Sequence, residues 1–145
     1  MQATRYFALL IGLLLAAGPA AAAERVAVKG SVANVRAAPS TKEDTLWQIE
    51  QYHPLLVVEK RNAWYRFKDF EGDEGWIHSS LVDKSNTVIV SVRWANIRSG
   101  PDTEHALVFD ADRGTPFKVL LKEGSWLKIE HADGDVGWIL DSLVW

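Results

Sequence analysis

Along this chain hydrophobic and polar positions alternate in short bursts, and after residue 23 no stretch sustains a helical period beyond a turn or two. Trp64-Tyr65-Arg66-Phe67-Lys68 and Trp126-Leu127-Lys128-Ile129-Glu130 switch with period two. That period turns Tyr65, Phe67, Leu127 and Ile129 to a core, and Arg66, Lys68, Lys128 and Glu130 to water. Leu55-Leu56-Val57-Val58 and Phe117-Lys118-Val119-Leu120-Leu121 are apolar runs too short for independent helices and rich in strand formers. Glu71-Gly72 and Asp133-Gly134 then break the pattern; the second is a hairpin dipeptide in which glycine supplies φ > 0. Gly75-Trp76-Ile77 and Gly137-Trp138-Ile139 form the returning strand. The pattern predicts strands near 55–60, 64–70 and 75–78 and again 62 residues later, with no helix longer than two turns. The fold class is all-β.

The doubling is the stronger signal. Gly72–Val82 returns as Gly134–Val144, and the offset of 62 aligns the rest of the chain without a gap. Val26, Val28, Ala33, Asn34, Arg36, Pro39, Trp64 and others meet identical residues, while Val35 meets Ile97, Trp47 meets Phe109 and Phe67 meets Ile129. A gapless register means two copies of one fold with loops of equal length. The copies occupy residues 24–82 and 88–145, joined by Asp83-Lys84-Ser85-Asn86-Thr87, a link so short that the units sit against each other. About five short strands per copy must curl into a small barrel to bury one face and remove their edges. The chain has no cysteine to staple so small a core, so its aromatic residues carry weight. Burying one tryptophan removes about 150–250 Å², roughly 4–6 kcal/mol before entropy costs. Trp64, Trp76, Trp126 and Trp138 are expected to pack in this way.

Residues 1–23 read as an export signal: Arg5, an apolar run from Phe7 to Ala17, a Gly18-Pro19 break, and Ala20–Ala23 for the peptidase. Cleavage is expected after Ala23, with Ala22 the neighbouring choice. An uncleaved anchor is the rival, but the apolar run falls short of the ~20 residues a spanning helix needs. The mature chain then starts at Glu24, periplasmic or secreted, with no membrane span. The formal charge of −3 becomes −4 on losing Arg5, and lacks the basic footprint of a nucleic-acid binder.

Ala95-Asn96-Ile97-Arg98-Ser99-Gly100-Pro101, Trp126-Leu127-Lys128-Ile129 and Gly134-Asp135-Val136-Gly137-Trp138-Ile139 together resemble the bacterial SH3-like (SH3b) domain family. The first copy carries the same pattern as Asn34-Val35-Arg36-Ala37-Ala38-Pro39, Trp64–Phe67 and Gly72–Ile77. The resemblance implies two tandem SH3-like small β-barrels. It also implies extracytoplasmic modules that recognise cell-wall peptides or partner proteins. The first copy has Ala38 where the second has Gly100; an extended backbone before proline tolerates alanine, whereas φ > 0 would strain it. Eukaryotic SH3 domains use a proline and a tyrosine in the closing segment to hold polyproline. Here those positions are His78 and Leu81, or Leu140 and Leu143, so that recognition does not carry over.

Catalytic chemistry finds little footing. His53, His78, His105 and His131 face Thr115, Leu140, Glu43 and Asp69 in the other copy, and no nucleophile or metal motif accompanies them. The acidic turns Glu71–Glu74 and Asp133–Asp135 lack the further oxygens of a calcium loop. No catalytic residue, cofactor or metal is expected. Asn34, Arg36, Asn96 and Arg98 are candidate ligand contacts, although both arginines have a competing structural use against the acidic hairpins. Trp94 and Trp145 stand where the first copy has Val32 and Asp83, so the fold itself does not require them. They are candidates for an apolar platform near the junction, or for the seal between the barrels. The expected function is non-catalytic binding or scaffolding. Peptidoglycan peptide is the leading ligand, with docking to another envelope protein or wall enzyme as the alternative.

Overall fold

The computed structural model describes residues 23–145, so the expected export signal, as far as Ala22, lies outside the described residues. Seven strands build the first unit: β1 (Glu24–Val28), β2 (Val32–Arg36), β3 (Thr45–Glu50), β4 (Pro54–Arg61), β5 (Trp64–Lys68), β6 (Glu74–His78) and β7 (Val82–Asp83). Six build the second: β8 (Thr87–Ile89), β9 (Trp94–Arg98), β10 (Leu107–Asp112), β11 (Pro116–Glu123), β12 (Trp126–Glu130) and β13 (Val136–Leu140). The longest helix among the described residues is a three-residue 3-10 turn, at Ser79–Leu81 and again at Asp141–Leu143. The fold is all-β, as the periodicity predicts.

The strand orders are β3-β2-β6-β5-β4-β1-β7 and β10-β9-β13-β12-β11-β8. In the first sheet β6 and β7 are joined by one 3-10 turn, yet they lie at the third and seventh positions. Only a sheet curled almost onto itself allows this, and the second copy repeats it through the bridge between Val90 and Val144. Register slips at Val58 and Leu120 supply the bend, each placing one extra residue on the longest strand. The hydrogen-bond ladder itself stays open beyond β3 and β10, so the curling does not remove these two edges.

The two cores are separate and equivalent. Val35, Leu55, Phe67 and Ile77 are fully buried in one, Ile97, Phe117, Ile129 and Ile139 in the other. The hairpin glycines Gly72 and Gly134 have φ of 86° and 96°, as their turns require. Neither Ala38 nor Gly100 is left-handed, so alanine sits in the first copy without strain.

The expected burial holds for Trp76 and Trp138, while Trp64 and Trp126 are only half-buried. Trp76 and Trp138 are each only 8% exposed but belong to neither core. Gly75 and Ile77 point inward, and the intervening residue must point out. Trp76 is instead sealed on the outer face, where the Arg61 guanidinium lies 5.1 Å from its ring centre. Trp64 stands edge-on to His78 at 5.2 Å on the same face. The Trp76 ring is thus covered from outside the barrel by a cationic side chain.

The barrels meet through residues that each occur in one copy only. Arg113, in the turn after β10, stacks 5.2 Å from Phe70 and pairs with Glu71 at 3.3 Å, both on the β5–β6 hairpin. The same guanidinium donates to the Ser91 carbonyl of its own barrel. Arg25 of β1 lies 4.1 Å above the Trp145 ring. The link is anchored as well: Ser85 N–H donates to Asp83 Oδ1 at 2.9 Å, and Asn86 O accepts from Val119 N–H at 2.8 Å.

Candidate functional site

Alternation along β9 turns Trp94, Asn96 and Arg98 to the outer face of the second barrel. Their partners on β10 are Asp112, Asp110 and Leu107. Over β9 and β10 runs an open groove of about 750 Å³, lined by Trp94, Asn96, Leu107, Val108, Asp110 and Asp112 with Arg93 and Phe109. Trp94 is 55% exposed there, and Leu107 and Val108 are also exposed. The groove thus combines an aromatic face, two aliphatic side chains, an amide and two carboxylates, beside a strand edge whose backbone has no partner. The same positions of the first barrel hold Val32, Asn34, Gln48 and Glu50, and there Asn34 Oδ1 accepts from Gln48 Nε2 at 2.8 Å. That amide bridge is absent around Asn96, which faces a carboxylate.

The two arginines serve their own loops. Arg36 Nη1 donates to Glu43 O at 2.9 Å; Arg98 Nη1 donates to Thr103 O at 3.1 Å and His105 O at 3.0 Å. The acidic hairpins, their expected partners, are engaged elsewhere: Glu74 by Arg66 at 2.9 Å, and Asp133 by His131 at 2.9 Å. A loop folding back five to seven residues later simply lies closer to the guanidinium than the hairpin does. The loop after β9 is held further by His105 Nδ1, 2.7 Å from Asp102 Oδ1, which with two backbone N–H groups holds the Asp102 carboxyl below its ordinary range. The His105 ring occupies the space a side chain at Gly100 would need.

Trp94 and Trp145 are not brought together. Trp145 lies under Arg25 at the junction, whereas Trp94 borders the groove just described and a smaller one beside Arg98 and Trp126. Residues that sequence reasoning passed over are Asp110 and Asp112 in the groove and Arg25, Phe70 and Arg113 at the junction. The last three face Thr87, Ala132 and Gln51, so the contrast between copies marks them once it is applied to every residue type.

Each barrel also has an open mouth at its hairpin end. In the second, Asp110, Asp112, Asp133, Asp135 and His131 ring a floor of Phe109 and Phe117. The Asp135 backbone N–H, and then the His131 imidazole, hold the Asp133 carboxyl low. Among the described residues no three His, Cys, Asp or Glu side chains converge as metal ligands would. In the first barrel the mouth is narrowed by Gly114 of the second, beside His53 and Phe70. His53 is 9% exposed, edge-on to Phe70, and its Nε2 has no hydrogen-bond partner. Burial pushes its pKa below the ordinary 6.5, against a smaller upward pull from Asp69. The unfolded chain therefore takes up this proton first. The stability is whole above the unfolded value and is lost as pH falls from there towards the folded one. His53→Thr, the residue of the second copy, is expected to flatten the fall of the melting temperature between pH 7 and pH 5. An unchanged acid limb would assign that fall to another group.

The bacterial SH3 domain model matches residues 29–84 and again 91–145. Among curated proteins, a putative N-acetylmuramoyl-L-alanine amidase of Bacillus subtilis is 23% identical over 122 residues, covering 77% of this chain and 23% of that protein. A probable endopeptidase p60 of Listeria innocua is 29% identical over 99 residues, 66% of this chain and 21% of that protein. The chain thus spans less than a quarter of the length of these relatives. Among solved structures, an NlpC/P60 family protein from Bacillus cereus aligns at 13% identity and a TM-score of 0.41, covering 84% of this chain and 56% of that one. With the family pattern matched over most of the described residues, and matched twice at one spacing, this chain belongs to the bacterial SH3 domain family.

Proposed function

We propose that this is an exported, non-catalytic cell-wall-binding protein, periplasmic or secreted, whose second barrel holds a peptidoglycan stem peptide in the groove beside Trp94. The observation that carries the reading is the half-exposed Trp94 over a groove that also offers an unpaired strand edge. An extended peptide suits both features, main chain along β10 and side chains against the indole, Leu107 and Val108. Asp110 and Asp112 favour a peptide that carries an ammonium group, and Asn96 supplies an amide for its backbone. Arg98 and Arg36 act here as positioning residues that fix the loops. The relatives' names, an amidase of the muramoyl–alanine bond and an endopeptidase, support a wall peptide as ligand, and this chain aligns with only a small part of each.

The test is co-sedimentation of residues 24–145 with purified sacculi. Trp94→Val, which installs the residue of the first copy, is expected to abolish most retention while leaving the melting temperature unchanged. Sacculi stripped of stem peptides are expected to retain little of the unaltered protein. Full retention of the variant, or equal retention on bare glycan, would overturn the reading.

A further inference from the structure

The outer face of β11, β12 and β13 differs from its counterpart in the first barrel in a directed way. There Glu59 pairs with Arg61 at 2.7 Å and with Arg66 at 2.9 Å, and Glu74 takes Arg66 at 2.9 Å and Lys68 at 3.6 Å. Hydrogen bonds from Arg61 and then Arg66 hold the Glu59 carboxyl below its ordinary range. The face is thus a closed lattice of charges laid over Trp76. In the second barrel the two carboxylates are replaced by Leu121 and Val136, His78 by Leu140, and the flanking cations Arg61 and Lys68 by Glu123 and Glu130, so that of the lattice only the central cation persists, as Lys128. Leu121 is 47% and Val136 41% exposed. Lys128 lies between them, directly opposite Leu121 on one side and Trp138 on the other. Among the described residues it has no ion-pair partner; Glu123 and Glu130, at the rim of the same face, do not reach it.

The outer face of a curled antiparallel sheet is ordinarily polar, as the first barrel's is. Two aliphatic side chains placed where the fold accepts glutamates, with the central cation kept, are not required by packing. We propose that this face is a docking surface for an amphipathic helix of a partner protein, with one carboxylate set in the helix's apolar stripe. The carboxylate meets Lys128, the stripe covers Leu121, Val136 and Trp138, and basic residues at its margins meet Glu123 and Glu130. Helices pack naturally on such a sheet face. Lys128 at the centre, with Glu123 at one rim and Glu130 opposite Lys118 at the other, sets the register of the helix on the face. The surface is distinct from the Trp94 groove, so it stands or falls independently of the wall-binding reading.

Leu121→Gln with Val136→Thr removes the two apolar side chains at exposed positions without setting a further carboxylate beside Glu123 or opposite Glu130, so the double variant is expected to fold with an unchanged melting temperature. The probe is a synthetic amphipathic helical peptide with glutamate centred in a leucine stripe, compared with one carrying lysine there. The glutamate peptide is expected to bind the unaltered chain at least roughly tenfold more tightly than the lysine peptide, with loss of that preference in the double variant. Amide shifts on binding are expected at Leu121, Lys128 and Val136. Retention of the double variant on sacculi is expected to be unchanged. No binding, equal binding of the two peptides, or a preference that survives in the folded double variant would each overturn the proposal. So would a concentration-dependent dimer abolished by the same substitutions, which would give the face to a second copy of this chain.

Discussion

Ile77→Ala and Ile139→Ala are each expected to destabilise their own barrel by about 2–5 kcal/mol, a large share of what a unit of this size holds. Both side chains are fully buried and belong to their respective cores. Each core is small and holds no disulfide, so the cavity left behind has little surrounding mass to relax into it. The expected result is a melt that splits into two transitions, one near the original temperature and one far below it. Loss of both barrels together from either substitution would mean that the junction couples them more strongly than its few contacts indicate. A shift of under a degree in both variants would remove these isoleucines from the core.

Adding one methyl group two residues earlier is expected to do comparable harm by the opposite route. Gly75 and Gly137 stand where β6 and β13 cross closest to β2 and β9. A Cβ at Gly75 would intrude on Val35 Cγ1 and meet Trp47 at 3.4 Å; at Gly137 it would intrude on Ile97 Cγ2 and lie 3.1 Å from Arg98 O and 3.2 Å from Val108 Cγ2. β-Branched valine and isoleucine have few rotamers through which to retreat. Overpacking at Gly75→Ala is expected to cost about 1–3 kcal/mol. Gly137→Ala is expected to cost more, since a strand carbonyl as well as side chains must move. Urea titration of the two variants checks the order. Equal and small losses would show that the strands can part without consequence.

These two residues frame what was legible beforehand. Alternation in Trp64–Lys68 and Trp126–Glu130 places the core faces correctly because short strands with one wet side must alternate. The same rule carried through Gly75-Trp76-Ile77 turns the tryptophan outward. Its size and apolarity suggested the core instead, and in Trp76 the Arg61 guanidinium over the ring covers it from outside the barrel. The loop contacts of Arg36 and Arg98 were not legible, since a loop's path carries no period. For the site, Trp94 stood out because the repeat provides its own reference, Val32. Asp110 and Asp112 did not, because charged residues on a strand read as ordinary solvent-facing positions until the groove over β9 and β10 is seen. The junction was half visible: Trp145 was marked by its contrast with Asp83, but Arg25, Phe70 and Arg113 are brought to it by folding alone.

That junction is a heterologous contact, the turn of one barrel resting on the hairpin of the other. Modules joined head to tail carry a standing hazard, because the same contact made between molecules generates an open filament. Here both halves needed for propagation are missing from the outward-facing surfaces. The hairpin of the second barrel has Ala132 in place of Phe70, so an incoming guanidinium finds no ring to lie on. The turn of the first barrel has Gln51 in place of Arg113, so it brings no guanidinium to offer. Donor and acceptor each exist once, already facing one another, and the contact is satisfied within a single chain. Divergence of the two copies at these positions therefore does more than hold the barrels together. It leaves an incoming copy without the ring and the guanidinium through which this contact is made.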